Sequence, residues 1–143
     1  EAAMVEMAST TDWDALSESE QAYEARRMEV YAGMADAMDH EVGRLVDYLR
    51  KSGQYDNTVF LFLSDNGAEP TNPFHSLRNR LFLRMQYDLS TANNGRRGSF
   101  SAIGPGWASA AASPLSGYKF SATEGGLRVP LITFFISCKS ICR

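Results

Sequence analysis

The chain predicts an α/β fold: an incomplete part of a mostly parallel sheet flanked by helices. Three observations carry this. A long stretch of apolar residues at helical spacing ends at Gly53. A short polar turn leads into the apolar run Val59-Phe60-Leu61-Phe62-Leu63. That run stops at Ser64-Asp65-Asn66-Gly67. Helix, short turn and strand in that order make half of a βαβ unit. A strand apolar at every position reads as covered on both faces, as in a parallel sheet.

The elements follow in order. Residues 1–16 form a weakly patterned lead-in, with Trp13 and Leu16 as packing anchors. Ser17-Glu18-Ser19-Glu20 has capping-box spacing, Ser17 capping and Glu20 reaching back. A helix is expected over 17–52: Tyr31, Met34, Met38, Val42, Leu45 and Leu49 recur at steps of three and four along one face. Gly53 supplies the stop. Glu24 with Arg27, and Asp47 with Lys51, have the spacing of ion pairs on the exposed side. Gly33 and Gly43 inside this helix each cost about 1 kcal/mol relative to Ala, which close packing against a sheet would offset. A strand over 58–64 comes next.

Residues 68–117 read as a long active-site loop carrying Pro70, Pro73, Pro105, Pro114 and the polar cluster Thr91 to Gly98. A short helix fits within it, with Leu77, Leu81, Met85 and Leu89 four apart. Loops of this length are functional or disordered, and Phe100, Trp107 and Tyr118 favour an ordered one near a site. A turn and strand occupy 118–136, the pair Gly125-Gly126 giving a tight turn into the apolar run that begins at Val129. Residues 137–143 are an atypical tail. The sequence opens without methionine and stops just after an apolar run, so an internal fragment of a larger protein is expected.

The length suits one domain, and 44% hydrophobic with 22% charged residues is ordinary globular composition. Fourteen basic against seventeen acidic residues give a net charge of −3. That is no footprint for nucleic acid. No apolar stretch reaches membrane-span length, and no signal peptide is visible. Cys138 and Cys142, one pair without a nearby histidine, make a poor zinc site and read as tail thiols. They do not decide the redox compartment; cytoplasm and periplasm are both compatible.

Asp65 and Asn66 stand at the carboxyl end of a strand, where ligands of open α/β sheets bind. They offer two hard oxygens of the kind calcium or magnesium prefers. Asp-Asn-Gly is equally good Asx-turn chemistry. Lys119, just ahead of the glycine pair, reads either as a charge aimed into a pocket or as a solvated lysine. Glu124 and Arg128 read as a local ion pair.

Taken together, several segments resemble the sulfatase family, and among it the bacterial arylsulfatases of the alkaline phosphatase-like superfamily. They are Leu16-Ser17 with Glu24 to Met34, Phe62 to Glu69, Gly104-Pro105-Gly106-Trp107-Ala108, and Tyr118-Lys119 with Glu124 to Pro130. They occur in family order over roughly residues 12–135. The resemblance implies an alkaline phosphatase-like fold, a calcium ion held in part by Asp65 and Asn66, and a sulfate oxygen bound by Lys119. The implied substrate is a small-molecule sulfate ester. A cation and an ammonium together neutralise the sulfate oxygens while sulfur is attacked.

The family nucleophile is a formylglycine made within a Cys/Ser-x-Pro-x-Arg motif, which this sequence lacks. The family's early Asp-Asp pair and its upstream Lys and His are absent too. No catalytic residue is therefore expected in this chain, and the remainder of the catalytic domain is an expected partner. No family role transfers to His40, on the helix, or to His75, which could line the pocket mouth. Two further readings stand beside this one: a phosphodiesterase or phosphonate hydrolase of the same superfamily, and a truncated, non-catalytic sulfatase-like chain.

Overall fold

The computed structural model describes residues 10–74 and 76–135. In chain order come a 3-10 turn (Trp13–Ala15), helix α1 (Glu18–Lys51), a second 3-10 turn (Tyr55–Asn57) and strand β1 (Val59–Leu63). Helices α2 (Leu77–Gln86), α3 (Gly104–Ala112) and α4 (Glu124–Leu127) follow, then strand β2 (Leu131–Phe135). His75 and the cysteine-bearing tail lie outside the described residues.

Both ends of α1 are set by local chemistry. Ser17 Oγ accepts from the Glu20 amide at 3.4 Å, and Glu20 Oε2 accepts from the Ser17 amide at 2.9 Å. These bonds satisfy amides that the first turn cannot pair within the helix. At the other end Gly53 adopts φ 69°. Its amide donates to Arg50 at 3.2 Å and the Gln54 amide to Leu49 at 2.9 Å, a Schellman closure.

The sides of α1 differ from expectation. Arg27 was expected on the exposed side and is instead buried, 3% exposed, still paired with Glu24. Asp47 pairs with Arg50, at 3.5 Å, and not with Lys51. The apolar stripe from Tyr31 to Leu45 is exposed, and nothing lies within 4 Å of a Cβ placed at Gly33 or Gly43. Close packing of α1 on a sheet is therefore not what these glycines serve among the described residues. The first turns of α1 pack on the loop before α3.

The sheet is a correction as well. β1 and β2 pair antiparallel, from Val59 opposite Phe135 to Leu63 opposite Leu131. No parallel pairing occurs among the described residues. The physical reason lies at one end of the ladder. The Gly67 amide donates to the Gly126 carbonyl at 3.2 Å, so the chain re-enters beside the carboxyl end of β1 and runs back along it. A parallel partner would need a crossover to the opposite end. β1 is not covered on both faces either: Leu61 and Leu63 are exposed on one face and Phe62 on the other. Phe60 is half-buried against Tyr55 and Phe134, with ring centroids 6.1 and 6.3 Å away.

The stretch expected to be loop contains two helices. α2 ends at Gln86, short of Leu89, and the Tyr87 amide still donates to Leu83. α3 falls on Gly104-Pro105-Gly106, residues that read as breakers. Proline is tolerated in a first helical turn, where its missing N–H costs nothing, and the alanines that follow are strong helix formers. Gly125-Gly126 sit in the single helical turn α4, not in a bare tight turn. Among the described residues the buried apolar side chains are Leu83, Ala108 and Tyr118.

Candidate active site

β1 delivers Ser64-Asp65-Asn66-Gly67 at its carboxyl end. Ser64 Oγ donates to the Asn66 carbonyl at 2.8 Å, and Asn66 Nδ2 donates to the Gly67 carbonyl at 3.3 Å. This is turn chemistry, and it leaves two side-chain oxygens uncommitted. Among the described residues neither the exposed Asp65 carboxylate nor the Asn66 amide oxygen takes part in a hydrogen bond or ion pair.

The turn after β1 is bound to the segment that follows α3. Besides the Gly67–Gly126 bond, the Lys119 amide donates to the Ala68 carbonyl at 3.0 Å, and the Gly125 amide to Ser116 at 2.8 Å. Here main chain lies directly on main chain. A Cβ on Gly67 would penetrate the Gly125 carbonyl oxygen and stand 2.9 Å from the carbonyl carbon; one on Gly125 would strike Gly117 and Ser116. Only residues without a side chain allow that approach.

These ties place the Lys119 backbone beside the turn that follows β1. Its Nζ lies 2.9 Å from Glu69 Oε2 and 5.2 Å from the centroid of the Phe120 ring. Phe120 adopts φ 74°, an uncommon left-handed backbone for a bulky residue. Glu69 is held in turn by Thr71, whose amide donates at 3.0 Å and whose hydroxyl donates to the same oxygen. Burial pushes the Glu69 carboxyl up, but the Thr71 hydrogen bonds and the Lys119 ammonium outweigh it and hold the group below its ordinary value.

A lowered folded pKa means the stabilisation is present above the unfolded value and is lost as pH falls through the folded one. A carboxyl-carbon NMR titration of the folded protein should therefore give Glu69 a midpoint below the ordinary glutamate value of about 4.3.

A second cluster lies on the α1 side. Arg27 Nε donates to the Ala102 carbonyl, and Nη1 meets Glu24 Oε1 at 2.5 Å. The guanidinium carbon lies 5.5 Å from the Tyr23 ring centroid. Gly104, at φ 71°, gives it room, since a Cβ there would stand 3.1 Å from that carbon. Trp107 Nε1 donates to the Glu24 carbonyl at 2.9 Å, and its ring meets Trp13 edge-on at 6.0 Å. A cleft of about 820 Å³ opens here, lined by both tryptophans, Arg27, Pro70 and Thr71.

Sequence reasoning singled out Asp65, Asn66 and Lys119, and the structure joins the turns that carry them. It assigned no role to Glu69 or Thr71, and it put Arg27 on the surface. Glu69 and Arg27 act through partners distant in sequence, Lys119 and Ala102, the latter 75 residues from Arg27, and Thr71 acts through Glu69. No local spacing reports such a pairing. Glu124 and Arg128 form the local pair expected of them, exposed and 2.8 Å apart.

Comparison with known proteins gives the family. A family model described as sulfatase covers residues 5–137. The chain belongs to the sulfatase family. Membership implies an alkaline phosphatase-like fold, of which the described helices and two-stranded sheet form an incomplete part. An uncharacterised sulfatase of Schizosaccharomyces pombe is 42% identical over 127 residues, covering 86% of this chain and 22% of that protein. An arylsulfatase of Klebsiella aerogenes is 38% identical over 133 residues, covering 92% and 28%. This sulfatase segment thus spans about a quarter of the length of the curated relatives it matches. No helix among the described residues is long and apolar enough to cross a membrane.

Proposed function

We propose that the chain is a segment of an arylsulfatase-like sulfuric ester hydrolase. In this reading Lys119 binds a sulfate oxygen, and Asp65 and Asn66 hold part of a calcium site. The observation that supports it best is the backbone joint at Gly67–Gly126 and Ala68–Lys119, which binds the segment carrying Lys119 to the turn directly after Asp65 and Asn66. Lysine acts on an oxyanion as a compact point charge, and a donor already held in place needs little reorganisation as charge develops.

The donor set suits calcium. Asp65 and Asn66 supply hard oxygens with no other partner among the described residues, whereas nitrogen or sulfur donors would favour other metals. Two donors are not a complete site, and no group of three or more His, Cys, Asp or Glu able to hold a metal occurs among the described residues. The remaining ligands come from elsewhere in the longer protein, as does the formylglycine nucleophile. When bound, the cation neutralises sulfate oxygens. The chain's own contribution is to orient Asp65 and Asn66 toward it and to present the Lys119 ammonium.

The longer protein carrying this segment should hydrolyse 4-nitrophenyl sulfate, and the 143 residues alone should not. Lys119→Ala should lower kcat/KM by about 100-fold or more, the usual effect of removing one oxyanion-stabilising donor. Chelation of calcium should abolish activity, and added calcium should restore it. Hydrolysis of phosphodiesters without any of sulfate esters would overturn the assignment, as would full activity after Lys119→Ala.

A further inference from the structure

We infer that Glu69 is the positioning residue for Lys119, an inference that rests on the reading of Lys119 as the sulfate-binding cation. A lysine ammonium ends a flexible four-carbon stem with large rotamer entropy. Left alone, that group samples many places, and only some of them neutralise a developing charge. Glu69 removes this freedom. Its Oε2 accepts one of the three ammonium N–H groups at 2.9 Å, leaving two for sulfate oxygens.

The carboxylate is fixed in its turn. Thr71 binds Oε1 through both amide and hydroxyl. Main-chain bonding of Lys119 to Ala68, the residue before Glu69, closes a small ring: Ala68 carbonyl, Lys119 backbone, Lys119 ammonium, Glu69 carboxylate. Both partners are therefore attached at one backbone joint, and the Glu69 carboxylate is held there by Thr71. An ordinary surface ion pair holds two long, free side chains and contributes little. Here one of the two is already immobilised.

The arrangement has an electrostatic consequence. A paired ammonium carries little net charge toward an incoming anion, so ground-state attraction to sulfate is muted. Its directed N–H groups still meet charge that builds up in the transition state. Loss of the Glu69 charge should then act on the two states in opposite directions.

The test uses the longer protein carrying this segment, with 4-nitrophenyl sulfate as substrate and inorganic sulfate as inhibitor. Glu69→Gln should lower kcat tenfold or more, leave KM within threefold, and make sulfate inhibition at least threefold tighter. Thr71→Val, which keeps the amide bond but loses the hydroxyl, should move kcat and inhibition in the same directions by twofold to threefold. Glu41→Gln, which breaks an exposed pair on α1, should change neither.

A merely structural Glu69 would lower the active fraction without tightening sulfate, and that result overturns the inference. So does a Glu69→Gln protein with unchanged kcat and inhibition. If Glu69→Gln fails to fold, Thr71→Val decides, and unchanged inhibition there counts against the inference. Failure of the underlying reading looks different: Lys119→Ala would then retain activity, or the unsubstituted protein would not hydrolyse sulfate esters.

Discussion

The 143 residues in isolation should melt without a cooperative transition and should bind a hydrophobic dye strongly. Among the described residues two strands form the sheet, and a lone two-stranded ribbon is marginal in water. Its apolar side chains are largely uncovered, with Leu61 65%, Ile132 62% and Leu63 57% exposed. α1 adds a second open apolar surface, running through Met34, Met38, Val42 and Leu45. Against this, the buried apolar side chains among the described residues are Leu83, Ala108 and Tyr118. Few buried contacts cannot offset a chain-ordering entropy of roughly 1–2 kcal/mol per residue. Exposed patches of this size mark surfaces that another structure covers. Circular dichroism against temperature, with dye fluorescence alongside, checks this. A single sharp transition with little dye binding would show that the chain is self-sufficient.

Gly67→Ala should have a large effect for a single added methyl group. In unstrained positions Gly→Ala is stabilising by roughly 0.4–1 kcal/mol, because it restricts the unfolded chain. At Gly67 the sign reverses. The new Cβ would fall inside the Gly125 carbonyl oxygen and 3.0 Å from the Gly126 Cα. These are main-chain atoms, which cannot swing aside as a side chain could, so the two turns must part. Overpacking of this kind costs about 1–3 kcal/mol. Activity should suffer more than stability, because a displacement of about 1 Å between Lys119 and the end of β1 can cost on the order of 100-fold in rate. The expected result in the longer protein is a kcat/KM for aryl sulfate lowered by about that factor, with a melting temperature lower by a few degrees. Gly33→Ala is the matched comparison. Nothing among the described residues lies within 4 Å of a Cβ built there, and the substitution should stabilise α1 by up to about 1 kcal/mol.

These two substitutions separate what local pattern can report from what it cannot. Sequence alone located α1, because the Ser17–Glu20 box, the apolar period and Gly53 act within a few residues of each other. The strand at Val59–Leu63 was legible for the same reason. Its surroundings were not. An apolar run says that a strand has apolar neighbours, but neither which strand pairs with it nor in which direction. The glycines of 104–106 misled for a related reason. Read singly they are breakers; read with the alanines after them, they begin a helix whose Gly104 makes room for Arg27.

What the amino-acid order determined by itself was the set of chemical groups and the elements that carry them: an acid and an amide after a strand, a lysine before a glycine pair, a long capped helix, and a family pattern over most of the chain. Hydrogen bonds spanning a few residues and side-chain periodicity are enough for that. Tertiary structure alone decided that β2 returns antiparallel, that Arg27 is buried, and that Lys119 meets Glu69 beside the end of β1. Those outcomes depend on contacts between segments distant along the chain, where close main-chain approach and charge pairing act through space and leave no periodic mark in the sequence.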